Sequence, residues 1–192
     1  LRLAYQDNRQ SAVPRSALNK AVALAPENVT ARLSLADTLT DLRLIPEATA
    51  QLEKAQQLAP RDFQIAFRLG NLYKNAGNRP RAIAAFRRAL QERPDSGETL
   101  GALGQLLDRT GEVDEAIKLF RRQTEVARDD HRAWANLGAA YYHKNQPDAA
   151  AQAWEEALKR DAKRADVRRW LAGYYLGKNE LDRAEQEYNR SL

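Results

Sequence analysis

The sequence predicts an all-α superhelix built from repeated helix pairs. Three observations carry that prediction. Leu69-Gly70, Tyr73, Gly77, Ala82 and Phe86 return 34 residues later as Leu103-Gly104, Leu107, Gly111, Ala116 and Phe120, and again as Leu137-Gly138, Tyr141, Asn145, Ala150 and Trp154. Within each step the apolar residues lie three, four and seven apart, which gathers them on one face of a helix. No insertion or deletion interrupts the period across the 192 residues, so each unit repeats the small rotation of the last.

Taken in order, the units are 1–28 (partial), 29–62, 63–96, 97–130, 131–164 and 165–192 (partial), forming a single array. The first opens at Leu1 inside a helical pattern with Tyr5 in register. Its Pro14 falls where later units carry Ala48, Ala82, Ala116, Ala150 and Ala184. A proline inside a helix costs about 3 kcal/mol, so Pro14 is placed in the first turn of its helix. Pro46 and Pro80 are placed just inside the second helices of their units by the same reasoning. Asn28, Asp62, Ser96 and Asp130 precede the first helices of successive units and read as N-caps, because their side chains accept from free helical N–H groups. Arg164 breaks that series. Gly77, Gly111, Asn145 and Asn179 fall in the turns between paired helices, where a left-handed residue ends a helix. The fourth unit departs near its end, where Thr124 is read in place of the small Ala55, Ala89 and Ala157. Small residues on facing helices (Gly70 with Ala82, Gly104 with Ala116, Gly138 with Ala150) let the axes approach. Tyr73, Phe86, Phe120, Trp134, Tyr141 and Trp154 then fill the space between successive pairs.

Composition limits the function classes. With 43% hydrophobic and 30% charged residues the chain is neither disordered nor membrane-embedded. No run approaches the roughly 20 apolar residues of a spanning helix. No charged-then-apolar leader is visible, and Leu1 is read as the start of a fragment of a longer product. The absence of cysteine excludes disulfides and thiolate chemistry, and leaves bacterial cytoplasm and periplasm equally open. The net charge of +5 is uneven: unit 63–96 has seven basic and two acidic residues, whereas 97–130 has five and eight.

These residues resemble the tetratricopeptide repeat family, whose unit orders an aromatic, Leu-Gly, Tyr, Ala, an aromatic, Ala and Pro over 34 residues. Trp134, Leu137, Gly138, Tyr141, Ala150, Trp154 and Ala157 are the fullest match. The resemblance implies a right-handed superhelical solenoid of helix-turn-helix repeats and a non-catalytic scaffold. The concave groove, lined by the first helices, is then expected to bind a peptide or helix of a partner protein. It also implies polar capping helices, which neither end supplies, so neighbouring repeats or self-association through the terminal repeats is expected.

The groove face is expected to present Phe67, Asn71 and Lys74, then Gln105 and Arg109, then Arg132, Tyr142 and His143, then Arg169. Phe67 and Tyr142 are read as aromatics that packing does not need. Gly101, Ala135 and Ala139 are read as leaving a depression for ligand side chains. The carboxylate clamp of some relatives is not expected, because Asp166 would repel a carboxylate. The basic run Arg79, Arg81, Arg87, Arg88 and Arg93 is assigned to the second helix, where ion pairing accounts for it better than nucleic acid does. His131 and His143 are too far apart for a helix-borne metal pair and are placed in water. No phosphate-cradling glycine loop is present, so no cofactor and no enzymatic activity are expected. The alternative reading is a structural spacer in a longer machine, such as a bacterial exopolysaccharide exporter.

Overall fold

The computed structural model describes residues 15–192, and the readings of Leu1, Tyr5 and Pro14 lie outside them. The described residues form eleven α-helices: α1 (Arg15–Leu24), α2 (Val29–Asp41), α3 (Ile45–Leu58), α4 (Phe63–Asn75), α5 (Arg79–Glu92), α6 (Gly97–Thr110), α7 (Val113–Val126), α8 (His131–His143), α9 (Pro147–Arg160), α10 (Ala165–Gly177) and α11 (Leu181–Asn189). The all-α class and the two-helix repeat are as the sequence predicts. The described residues fall into two compact bodies that divide between Glu92 and Arg93.

Helix boundaries follow from local chemistry. Asn28, Asp62, Ser96 and Asp130 each accept a hydrogen bond from the backbone of the helix that follows, as their side chains require. Arg164 precedes α10 and makes no such bond. Pro46 and Pro80 lie at the second position of α3 and α5, where a missing N–H leaves no gap in the ladder. Between paired helices the chain turns through positive φ at Gly77, Gly111, Asn145 and Asn179. Arg43 takes the same place in the second unit with φ 61°, a position the sequence did not mark.

In the first body the core runs through Leu18, Leu35, Leu39, Leu52, Ile65, Leu69 and Leu72, together with the buried Ala36, Ala48 and Ala55. In the second body Leu103, Leu107, Phe120, Leu137, Trp154, Val167 and Leu171 are buried. The aromatic of each second helix stands over the glycine of its own first helix. A Cβ on Gly70 would meet the Phe86 ring at 2.5 Å, one on Gly104 would meet Phe120 at 2.6 Å, and one on Gly138 would collide with the Trp154 indole. These rings therefore pack first within their own pair, not only between successive pairs as the sequence reading had it. That is why the Leu-Gly step carries glycine, with no Cβ at all, opposite each of these three large rings.

Two interactions recur at equivalent repeat positions within the bodies. The Tyr73 hydroxyl donates to Glu53 Oε1 at 2.5 Å, and the Tyr175 hydroxyl donates to Glu155 Oε1 at 3.0 Å. At the equivalent place Arg121 Nε donates to the Tyr141 hydroxyl at 2.7 Å. Separately, Trp134 Nε1 donates to the carbonyl of Arg128, six residues earlier. Arg32 and Arg168, at the same repeat position, donate from Nε to the carbonyls of Pro26 and Ala162 at 2.8 and 3.1 Å. Arginine can stand in for tryptophan here because both carry an N–H on a long flat side chain.

The fourth unit corrects the register reading. Gln123, not Thr124, occupies the place of Ala55, Ala89 and Ala157. Its side chain is buried, and a Cβ on Gly101 would meet its amide nitrogen at 2.6 Å. Ala135 is likewise buried. The space expected between Gly101 and Ala135 is thus filled, because the filling side chain comes from α7, beyond the helix that carries the glycine.

Candidate peptide-binding site

The expected groove residues fall in both bodies, and each set is described in its own. In the first body Phe67 lies on α4, half-buried. It stacks on Phe63 at 5.9 Å between ring centroids and meets Phe86 at 6.0 Å. Phe67 therefore does contribute to packing, contrary to the sequence reading, since the ring fills the space beside Phe86 that Gly70 opens. Asn71 is half-buried and Lys74 is exposed on the same helix.

The second body gathers more of the set. Tyr142 and His143 at the end of α8 and Arg169 on α10 line one cleft of about 470 Å³, together with Ala139, Trp154, Trp170, Gly173 and Tyr174. Trp154 forms its floor. It is 3% exposed, with Tyr142 at 5.9 Å on one side and Trp170 at 5.7 Å on the other. Tyr142 and Trp170 are 59% and 40% exposed, so the rim rings present faces to solvent while the floor ring does not. A Cβ at Gly173 would meet nothing within 4 Å, so this glycine leaves the α10 wall open. Ala139, read from the sequence as leaving room, does line the cleft.

The charges around the cleft are unequally satisfied. His143 Nδ1 lies 2.9 Å from both carboxylate oxygens of Asp108, which makes Nδ1 the donor. His143 is therefore held by a carboxylate, not simply surrounded by water as expected. His131 Nε2 lies 3.9 Å from Asp161. The Asp148 carboxylate accepts from the Tyr174 hydroxyl at 2.7 Å and pairs with Lys178 at 2.8 Å. Hydrogen bonds from Lys178 and then Tyr174 hold the Asp148 carboxyl below its usual range, and the bond to Asp148 raises the Tyr174 phenol. Arg169, exposed at the cleft mouth, has no ion-pair partner among the described residues.

The other predicted residues of the second body, Gln105, Arg109 and Arg132, do not line this cleft. Gln105 Nε2 donates to Asn136 Oδ1 at 3.3 Å. Arg132 is exposed and folds back on the Asp130 cap, Nε to Oδ1 at 3.0 Å, so its guanidinium is already engaged. Arg109 is exposed near the end of α6. Sequence reasoning missed Trp154, Trp170 and Tyr174 as site residues. Trp170 and Tyr174 are four apart on one face of α10 beside Arg169 and Gly173, and that local pattern was the available signal.

Elsewhere, Arg88 donates to the Pro60 carbonyl at 2.9 Å, and Arg81 lies over the Tyr73 ring at 5.7 Å. Arg87 and Arg93 are engaged as well. Among the described residues no group of three His, Cys, Asp or Glu could hold a metal ion, and no helix is long and apolar enough to cross a membrane.

A repeated helix pair with a Leu-Gly step under an aromatic defines the class of this fold. The chain belongs to the tetratricopeptide repeat family: one model of that repeat matches residues 3–63 and 136–192, more than half of the chain, and a second matches 75–141. Comparison with curated proteins gives no match. Among solved structures, YrrB, described as a TPR protein with an unusual peptide-binding site, is similar at 20% identity and a TM-score of 0.79, over 93% of this chain and 92% of that one. MamA from Desulfovibrio magneticus is similar at 19% identity and a TM-score of 0.79, over 85% of this chain and 92% of that one. PilF of Pseudomonas aeruginosa is similar at 19% identity and a TM-score of 0.73, over 85% of this chain and 74% of that one. These likenesses establish the fold.

Proposed function

We propose that the protein is a non-catalytic interaction scaffold and that the cleft between α8 and α10 docks a peptide segment of a partner protein. The carrying observation is the aromatic cleft itself. Elsewhere in the second body Phe120 is sealed against its own glycine, but here Tyr142 and Trp170 turn exposed faces to a cavity that Gly173 leaves open. Such a cavity is in the size range of roughly 300–1,000 Å³ that holds ligand groups, and a few polar groups at an aromatic-lined rim are what orients them. Gln105 and Arg132, on first helices of the same body, already donate to Asn136 and Asp130, so they bond a bound backbone only by exchanging those partners. Phe67, Asn71 and Lys74 offer a further first-helix surface in the first body. YrrB, with its peptide-binding site, gives the reading a precedent in this fold.

The test is a display library of random peptides panned against the protein and then measured against Gly173→Leu and Tyr142→Ala. The reading expects the selected peptides to lose affinity for both variants. Peptides that bind both variants as well as they bind the parent would contradict it. Self-association through the last repeat is a second arrangement, favoured by exposed Leu181, Tyr188 and Leu192. A mass by light scattering that stays monomeric at every concentration would count against it.

A further inference from the structure

The cleft's own chemistry narrows the kind of peptide it would take, an inference that rests on the docking reading above. Among the eight residues lining the cleft, none is acidic, and two carry or can carry positive charge, His143 and Arg169. The two acids at its edge are already engaged: Asp108 by His143 Nδ1, and Asp148 by Tyr174 and Lys178. Arg169 alone faces the mouth with no ion-pair partner among the described residues, one residue from Trp170 and one helical turn from Gly173. A cationic peptide would meet Arg169 as a like charge and find no free carboxylate to offset it. An acidic one would meet a guanidinium able to grip a carboxylate through two parallel hydrogen bonds.

We infer that the cleft selects an acidic peptide: an internal aromatic side chain enters between Tyr142 and Trp170 above Trp154, and an adjacent Asp or Glu side chain pairs with Arg169. The aromatic is favoured over an aliphatic anchor because the three rings already stand at 5.7–5.9 Å in tilted contact, and a fourth ring continues that edge-and-face packing. Charge at the mouth then governs discrimination between acidic and basic segments.

The experiment uses four pools of N-acetylated, C-amidated nonapeptides, so that no terminal charge contributes. The central residue is Phe or Ala, its two neighbours are both Asp or both Lys, and the other positions are randomised over small polar residues. Binding is read by fluorescence anisotropy at low and at high salt, against the whole protein and against Arg169→Glu and Gly173→Leu. A Cβ at Gly173 meets nothing, and circular dichroism of Gly173→Leu checks that the variant is folded before its binding is read. The inference expects the Phe/Asp pool to bind about tenfold or more tightly than the Phe/Lys and Ala/Asp pools. It expects Arg169→Glu to reverse the charge preference and Gly173→Leu to abolish binding of every pool. Equal binding of the Asp and Lys pools, with loss in Gly173→Leu, would overturn the acidic preference and leave the docking reading standing. Binding of any pool unchanged by Gly173→Leu, or no binding by any pool, would overturn both.

Discussion

The Tyr73 hydroxyl donates to Glu53 Oε1 at 2.5 Å across the gap between one helix pair and the next, and Arg81 lies 5.7 Å from the centre of the same ring. Burial and then the hydrogen bond to Glu53 push the Tyr73 phenol up to about 12 from its ordinary 10.0. Folding therefore favours the protonated phenol. The stability this bond contributes is fully present below pH 10 and is lost as pH rises toward 12. Tyr73→Phe is expected to cost about 1 kcal/mol at pH 8, and to flatten the fall in denaturant midpoint between pH 10 and 12. A variant that keeps the parent's slope there would exclude Tyr73 as its source.

The two glycines on the inner faces of α8 and α10 should respond oppositely to alanine. At Gly138 a Cβ collides with the Trp154 indole, a rigid ring that is itself buried. Gly138→Ala is expected to destabilise by about 1–3 kcal/mol through overpacking. At Gly173 a Cβ meets nothing, so alanine gains helix propensity of up to about 1 kcal/mol. Urea unfolding of both variants checks the pair, and equal effects would refute the packing described.

Gln123 holds a buried Oε1 with no hydrogen-bond partner among the described residues, at a position where four other units place alanine: Ala21, Ala55, Ala89 and Ala157. Leaving such an oxygen unpaired costs roughly 1–3 kcal/mol, which offsets what the side chain gains by filling the space beside Gly101. Gln123→Ala is expected to leave stability unchanged or raise it by up to about 1 kcal/mol. A loss larger than about 1 kcal/mol in chemical denaturation would show that the amide is better satisfied than this geometry implies.

In acid the N-terminal turn of α10 should weaken. The Arg164 guanidinium holds the Asp166 carboxyl below its ordinary 3.8, against the opposing effect of burial. The bond Arg164 Nε to Asp166 Oδ1 is 2.8 Å. A carboxyl depressed on folding stabilises above its unfolded value and loses that contribution as pH falls through the folded one. Asp166→Asn is therefore expected to unfold more readily at pH 6 and to differ little from the parent near pH 2, with circular dichroism as the readout.

What the sequence made legible were the features that recur. Caps at Asn28, Asp62, Ser96 and Asp130, left-handed turns at Gly77 and Asn145, and the Leu-Gly step are each imposed by one backbone requirement repeated every 34 residues. Side-chain direction across helices was not legible. Gly101 read as open space, yet Gln123 from another helix fills it. Phe67 read as spare, yet Phe63 and Phe86 hold it. The cleft was half visible: Tyr142, His143 and Arg169 were named, but Trp154 read as packing filler. It serves both purposes because its ring covers Gly138 with one side and floors the cavity with another.

A partner segment docked in the aromatic cleft of the second body would perturb Trp154 and Trp170, which line it. The most direct test follows the three indole N–H signals in a nitrogen-15 spectrum, assigned through Trp134→Phe, Trp154→Phe and Trp170→Phe, while a peptide selected on the parent protein is added. Shifts at Trp154 and Trp170 with Trp134, which lines a different cavity, unmoved are the predicted result. A Trp134 signal that moves while the other two stay fixed would place binding on another face and contradict the account.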